Sequence, residues 1–322
     1  MITQPRDLLE SLFVETGFGA VAFTGSSRRA PVVKFGEKLL MNRFASFASV
    51  LLLCAVPGLA QGPTQIRPGF NLFTKQQDVQ LGQETAAQVR KQATIIKDPT
   101  LTAYVNAVGK RLMTSQEAAA SGFPFTFEVV ADPSINAFAL PGGPMFINTG
   151  LLRAVDNEAQ LAAVMGHEMS HVILRHGTNQ ASKANLIELP AVLAGQIAGS
   201  GGGMMGQLAE LGIGLGANSV LLKFSRTAES QADLMGSHIM AEAGYDPIEM
   251  AKFFDKLNAE GGSSAPQFLS DHPNPANREK AIEQEAARLP ERTYGYETGK
   301  FQQMRKVVAT IHEPPPKPRP AQ

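Results

Sequence analysis

The chain carries a single cysteine, Cys54, among 322 residues. One thiol cannot close an intramolecular disulfide or furnish a cysteine-rich metal site, so any metal has to be held by histidine and carboxylate. Net charge is equally scarce. The 29 basic and 29 acidic residues cancel, and no whole-chain field favours nucleic acid or an anionic membrane surface. Apolar runs long enough for a stable membrane span are missing too. With 43% hydrophobic and 18% charged residues, what remains is the balance of a globular protein of one large or two ordinary domains.

Residues 41 to 60 begin Met41-Asn42-Arg43-Phe44, continue through the apolar Val50, Leu51, Leu52, Leu53 and Val56, and end Gly58-Leu59-Ala60. That is the pattern of a secretory signal peptide. Counted from Met1 its basic region would be far too long, whereas counted from Met41 it is ordinary. Residues 1–60 therefore read as a leader with a mis-assigned start before Met41, and export to the periplasm is expected. Cys54 follows two leucines where a lipidation motif wants small residues, which makes it part of the apolar run and not an anchor. Cleavage after Ala60 would remove six basic and four acidic residues, leaving a net charge of −2 and no thiol. Such a chain suits an oxidising envelope compartment.

Residues 61–292 read as one domain of mainly helical α+β class. Apolar positions between Asn71 and Leu112 predict two helices. The β-like runs Phe125–Val130 and Met145–Thr149, separated by Pro141-Gly142-Gly143-Pro144, predict a small sheet with a turn between strands. A strong helix is expected from about Asn157 to Arg175 with Asp156 as N-cap, and another from Arg226 to Ala243 between Ser225 and Gly244. Between them lies an uncharged Gly-rich segment; its part from Ala194 to Gly216 is expected to close over a cleft as a lid. From Pro290 the chain is read as a tail, with 293–322 Pro-rich, extended and solvated.

The chemistry is concentrated in His167-Glu168-Met169-Ser170-His171. Spacing i, i+4 places both imidazoles on one helical face, where they can reach one zinc ion. Glu168, about 100° round the helix, points beside the metal, where a carboxylate can take a proton from a metal-held water. The third ligand sets the subclass. A metzincin needs Gly and His where the chain has Leu174 and Gly177, so that class is excluded. Glu229 on the later helix supplies the alternative, with Asp233 one turn on and able to hold a ligand imidazole from behind. His176 and His238 are out of phase with the motif residues and are expected to pack or hydrogen-bond instead.

Asn136-Ala137-Phe138-Ala139-Leu140-Pro141-Gly142-Gly143, the His167/His171 motif, Ser225-Arg226 with Glu229 and Asp233, and Asp271-His272-Pro273 followed by Arg278 together resemble the HtpX-like and CAAX prenyl protease-like gluzincin metallopeptidases. The exported single-domain shape is most similar to the periplasmic BepA-like branch, without its TPR domain and without the membrane helices of other members. The resemblance implies one zinc ion per chain on His167, His171 and Glu229, with Glu168 as general base. It implies that His272 and Arg278 lie near the metal, covering a coordination position or stabilising an oxyanion. It also implies that Asn136, Ala137 and Phe138 belong to an edge strand that binds extended peptide by main-chain pairing.

The expected function is a zinc endopeptidase acting on unfolded or misassembled cell-envelope polypeptides, with no nucleic-acid partner and no stable span in the mature chain. The alternative is a zinc-containing periplasmic chaperone or assembly factor whose proteolysis is incidental or latched by His272.

Overall fold

The computed structural model describes residues 62–184, 224–260, 267–273 and 277–313. The leader, the Gly-rich segment and the last nine residues lie outside them. So do the signal peptide and the expected lid.

Two helices open the domain, α1 (Lys75–Gln92) and α2 (Pro99–Leu112), with the two-residue strand β1 (Ile95–Ile96) between them. Each begins on a side-chain cap. Thr74 and Gln77 form a reciprocal capping box on α1, and the Asp98 side chain accepts from the Leu101 N–H on α2. The short α3 (Gln116–Ser121) leads into β2 (Thr126–Val130), β3 (Ala137–Ala139) and β4 (Pro144–Asn148).

The sheet order is β1-β2-β4-β3. The two strands expected from sequence are β2 and β4, but they run parallel, Phe127 opposite Met145 and Val129 opposite Ile147. A parallel pair cannot be closed by a tight turn. The Pro141–Pro144 turn instead joins β3 to β4 as an antiparallel hairpin, Phe138 opposite Phe146. Helix α1 presses on this turn at Gly82, where a Cβ would lie 1.7 Å from the Pro141 carbonyl oxygen. Only glycine permits that approach.

After α4 (Thr149–Ala154) come α5 (Glu158–Ile173) and α6 (His176–Ala184). Helix α5 is buried along nearly its whole length. Its N-cap is Asn157, whose side chain accepts from the Gln160 N–H at 2.9 Å. The expected cap, Asp156, sits one residue too early and pairs with Lys256 at 2.7 Å instead. Helix α7 (Arg226–Ala243) has the cap read from sequence, Ser225 accepting from the Ala228 N–H, and stops at Gly244 with φ 87°. It crosses α5 at close range, since a Cβ on Gly236 would lie 3.1 Å from the His167 backbone nitrogen. That approach lets side chains of both helices converge.

The remaining helices are α8 (Ile248–Glu260), α9 (Gln267–Asp271), α10 (Arg278–Ala286) and α11 (Phe301–Ala309). The last corrects the reading of an extended, solvated tail. Phe301, Met304 and Val308 are buried on one face of α11. Arg153 donates to the Val308 and Ile311 carbonyls at 2.9 and 3.0 Å, and Glu313 bonds both Arg153 and Thr149. No described helix is long and apolar enough to cross a membrane.

Candidate metal centre

His167 and His171 lie one turn apart on α5, both essentially fully buried, and face Glu229 on α7. His272, just after α9, completes the cluster. One donor atom from each of His167, His171, Glu229 and His272 lies within 4.8 Å of the others.

The donor chemistry fits a cation. His167 Nδ1 lies 2.9 Å from Asp233 Oδ1, which places its hydrogen on that side. The opposite nitrogen, Nε2, is left with a lone pair that faces His171 Nε2 at 3.0 Å, His272 Nδ1 at 3.3 Å and Glu229 Oε2 at 3.3 Å. Lone pairs this close repel unless a cation lies among them. Two or three imidazoles and one carboxylate are a zinc donor set and poor ligands for magnesium or calcium.

Protonation follows the same logic in the metal-free chain. Burial works to lower the His167 pKa, but Asp233 and Glu229 outweigh it and hold the imidazole up at about 9. His171 goes the other way, because burial pushes it well below the ordinary histidine value and Glu229 offsets only part of that. Burial raises the Glu229 carboxyl, yet His272, His171 and His167 together hold it well below the usual carboxylate range. A proton on His167 thus does part of what a metal ion would do.

Glu168 stands beside this group. Its Oε2 accepts from the Ala139 N–H at 3.1 Å, which ties it to β3. Its Oε1 is buried, has no hydrogen-bond partner and lies 3.2 Å from His272 Nε2, a close approach without hydrogen-bond alignment. Burial raises the Glu168 pKa against the opposing pull of His272 and His167, the direction that makes a carboxylate a better base near neutral pH.

Arg278 lies beside the cluster, where the resemblance places it. It is fully buried behind the acidic residues, donating from Nε and Nη2 to Asp233 at 2.8 Å each, with Nη2 also 3.3 Å from Glu229. Its guanidinium stacks over Phe254 at 3.8 Å. Two carboxylates thus take the hydrogen bonds of its Nε and Nη2. His272 Nδ1 points into the same group, 3.3 Å from His167 Nε2 and 3.1 Å from Glu229 Oε1.

The edge strand is also brought to the centre. β3 has β4 on one side and no strand on the other among the described residues. The Asn136 carbonyl and Leu140 N–H bond toward β4, so by the alternation of an antiparallel ladder the main-chain groups of Ala137 and Ala139 face outward. Phe138 stacks on Phe146 at 5.3 Å, and Asn136 donates its side-chain amide to Asp271 at 2.9 Å.

Helical phase would turn His176 well away from His171, and the structure removes the premise of that expectation. The helix breaks at Leu174 and Arg175, which takes φ 59°, so His176 starts α6 with its Nδ1 3.0 Å from His171 Nδ1. A non-glycine residue at positive φ is the kind of break that phase arithmetic cannot anticipate. His238 is a hydrogen-bonding residue as expected, 2.7 Å from Glu285.

Two histidines a turn apart, a glutamate on a crossing helix and a buried carboxylate beside them are the arrangement that characterises the gluzincin class of zinc metallopeptidases. The chain belongs to peptidase family M48, which residues 99–286 match. It is 33% identical over 207 residues to the β-barrel assembly-enhancing protease of Escherichia coli K12, covering 63% of this chain and 42% of that one. It is 32% identical over 185 residues to the mitochondrial metalloendopeptidase OMA1 of Schizosaccharomyces pombe, covering 57% and 52%. Against the metalloprotease LoiP of E. coli K12 it is 32% identical over 188 residues, covering 56% and 68%. The chain spans less than half the length of the β-barrel assembly-enhancing protease it matches.

Proposed function

We propose that this chain is a zinc-dependent endopeptidase of the periplasm that cleaves unfolded or misassembled cell-envelope polypeptides. The observation that carries the reading is the juxtaposition of the four-donor group, the Glu168 Oε1 that no hydrogen bond holds and the β3 edge that no described strand pairs with. His167, His171 and Glu229 would hold the metal. Zinc bound there supplies Lewis-acid polarisation of the scissile carbonyl and acidifies water.

The chain's own residues do the rest. Ala137 and Ala139 present main-chain groups to an extended substrate, which fixes its direction and reads backbone more than side chain. The Ala139 N–H anchors Glu168 Oε2, and Oε1 is left to take the proton of the attacking water and pass it to the leaving amine. Asp233 orients His167, and Arg278 neutralises Asp233 and Glu229. The peptidase domain in this reading extends to residue 313, because α11 buries its apolar face on the domain. Broad specificity for unfolded chains fits a backbone-reading site, and the envelope compartment is supported by the leader pattern and by the bacterial relatives.

The position of His272 among the donors also favours a latched resting state. In that state His272→Ala raises activity. The test of both readings is hydrolysis of an unfolded protein by the purified chain beside Glu168→Gln and His272→Ala, with zinc measured on each. Cleavage lost in Glu168→Gln with zinc retained supports the peptidase. Cleavage by neither, with zinc on both, favours the chaperone or assembly factor.

A further inference from the structure

The geometry points to His176 and Gln231 as positioning residues that set the tautomer of His171 through a chain of two neutral hydrogen bonds; this rests on the reading of His171 as a metal ligand.

A neutral imidazole has one N–H and one lone pair. If His171 Nε2 is the donor that faces Glu229 and His167, its hydrogen must sit on Nδ1. The partner of that nitrogen is His176 Nδ1 at 3.0 Å. His176 must then accept there, which puts its own hydrogen on Nε2, and Nε2 lies 3.2 Å from Gln231 Oε1. A carbonyl oxygen only accepts. The far end thus agrees with the direction that a lone pair on His171 Nε2 requires: His176 Nε2–H donates to Gln231, and His171 Nδ1–H donates to His176. Reversing the chain would put a hydrogen on His171 Nε2, where a ligand needs a lone pair.

Three further features support a built arrangement. His176 is buried, so protein groups and not bulk solvent face its ring nitrogens. Its placement depends on the left-handed Arg175, which is clamped by Asp78 at 2.6 Å and by the Phe73 carbonyl at 2.5 Å. Phe224 stacks on His171 at 3.8 Å and restricts the ring's rotation. The two metal histidines thus differ, His167 being backed by a carboxylate and His171 by a neutral ring. Partners of metal-bound histidines commonly change metal affinity 10–100-fold when removed.

The experiment measures zinc dissociation constants of the full chain by competition with a chromophoric chelator, for wild type, His176→Leu, His176→Asn, Gln231→Leu and Gln231→Glu. Histidine ¹⁵N spectra of the zinc-loaded proteins report the tautomers. An Asn oxygen can stand where His176 Nδ1 accepts, and the carboxylate introduced by Gln231→Glu would still accept at the end of the chain. His176→Leu and Gln231→Leu are therefore expected to weaken zinc binding roughly 10–100-fold and roughly 3–10-fold, while His176→Asn and Gln231→Glu stay within a few-fold of wild type. In wild type, His171 should show its hydrogen on Nδ1.

Equal loss in the Leu and Asn variants, no loss in either Leu variant, or a hydrogen on His171 Nε2 would overturn the inference. Should His176→Leu fail to fold, the Gln231 pair decides alone. If His171→Ala leaves zinc binding intact, the metal-centre reading fails, and this inference falls with it.

Discussion

Two clusters of histidine and carboxylate lie on opposite parts of α7, and only one has the arrangement of a metal centre. At the first, His167 faces Glu229 and Asp233; at the second, His238 lies 2.7 Å from Glu285 and 3.5 Å from Glu117. Composition does not separate them. At His238 each ring nitrogen has a carboxylate of its own, so an imidazolium with two N–H groups satisfies the set. At His167 several nitrogens point lone pairs at one another within 3.0–3.3 Å, and the protons available cannot serve them all. Convergence of acceptors, more than the presence of His and Glu, marks the place for a metal.

The strongest way to break the comparison is Glu168→Gln. It removes a base from the metal cluster and has no counterpart at His238. Peptide hydrolysis should fall about 10²–10⁴-fold with zinc content unchanged, read from steady-state rates beside metal analysis. A retained rate would leave the two clusters chemically equivalent.

Next come the two arginines that serve the clusters. Arg278 is fully buried with its charge spent on Asp233 and Glu229, whereas Arg288 reaches Glu285 at 3.1 Å with its side chain 40% exposed. Removing one partner of a buried ion pair costs about 3–5 kcal/mol, and an exposed pair is worth less than about 1 kcal/mol. Denaturant unfolding at fixed zinc should therefore separate Arg278→Met from Arg288→Met by several kcal/mol. Equal costs would mean that the burial of Arg278 carries no energetic weight.

Much of the metal cluster is legible in the sequence because its parts are local. The i, i+4 histidines fix a helical face, and Ser225 and Gly244 bracket the helix that carries Glu229. What was not legible depends on tertiary or irregular geometry. The parallel pairing of β2 with β4 follows from a hairpin whose first strand, Ala137–Ala139, is too short to show a period. The role of His176 depends on one left-handed residue, Arg175. Helix α11 was hidden for another reason. Phe301, Met304 and Val308 recur at helical spacing, but the prolines beyond residue 313 dominate the character of the region. The place of Arg278 behind Glu229 has no sequence signal short of the family motif.

Metal removal sharpens the comparison further. A ligand that binds only the folded chain stabilises it by about 2.7 kcal/mol at a hundredfold excess over Kd, or roughly 5–11 °C in Tm for a domain of this size. Chelation should lower Tm by that amount in wild type and equally in His238→Gln, whereas His171→Ala should abolish the difference. A smaller shift in His238→Gln would place the second cluster in the metal's influence.

The smallest expected effect isolates His238 through pH. Burial works to lower its pKa, but the hydrogen bonds and charges of Glu117 and Glu285 win and raise it; Glu117 and Glu285 are themselves lowered against their own burial, with His238 a contributor to both. A raised histidine contributes stability that is complete below its unfolded pKa of about 6.5 and is lost as pH rises through the folded value. Lowered carboxylates contribute above about 4.3 and lose it as pH falls through theirs. The two windows overlap between about pH 4.5 and 6.5. In zinc-free protein the stability difference between wild type and His238→Gln should be greatest there, about 2 kcal/mol, the usual worth of a hydrogen bond to a charged group. It should shrink as pH rises above that window and through the raised value of His238. A difference that instead grew with pH would mean that His238 is neutral in the fold, and that the carboxylates around it hold protons of their own.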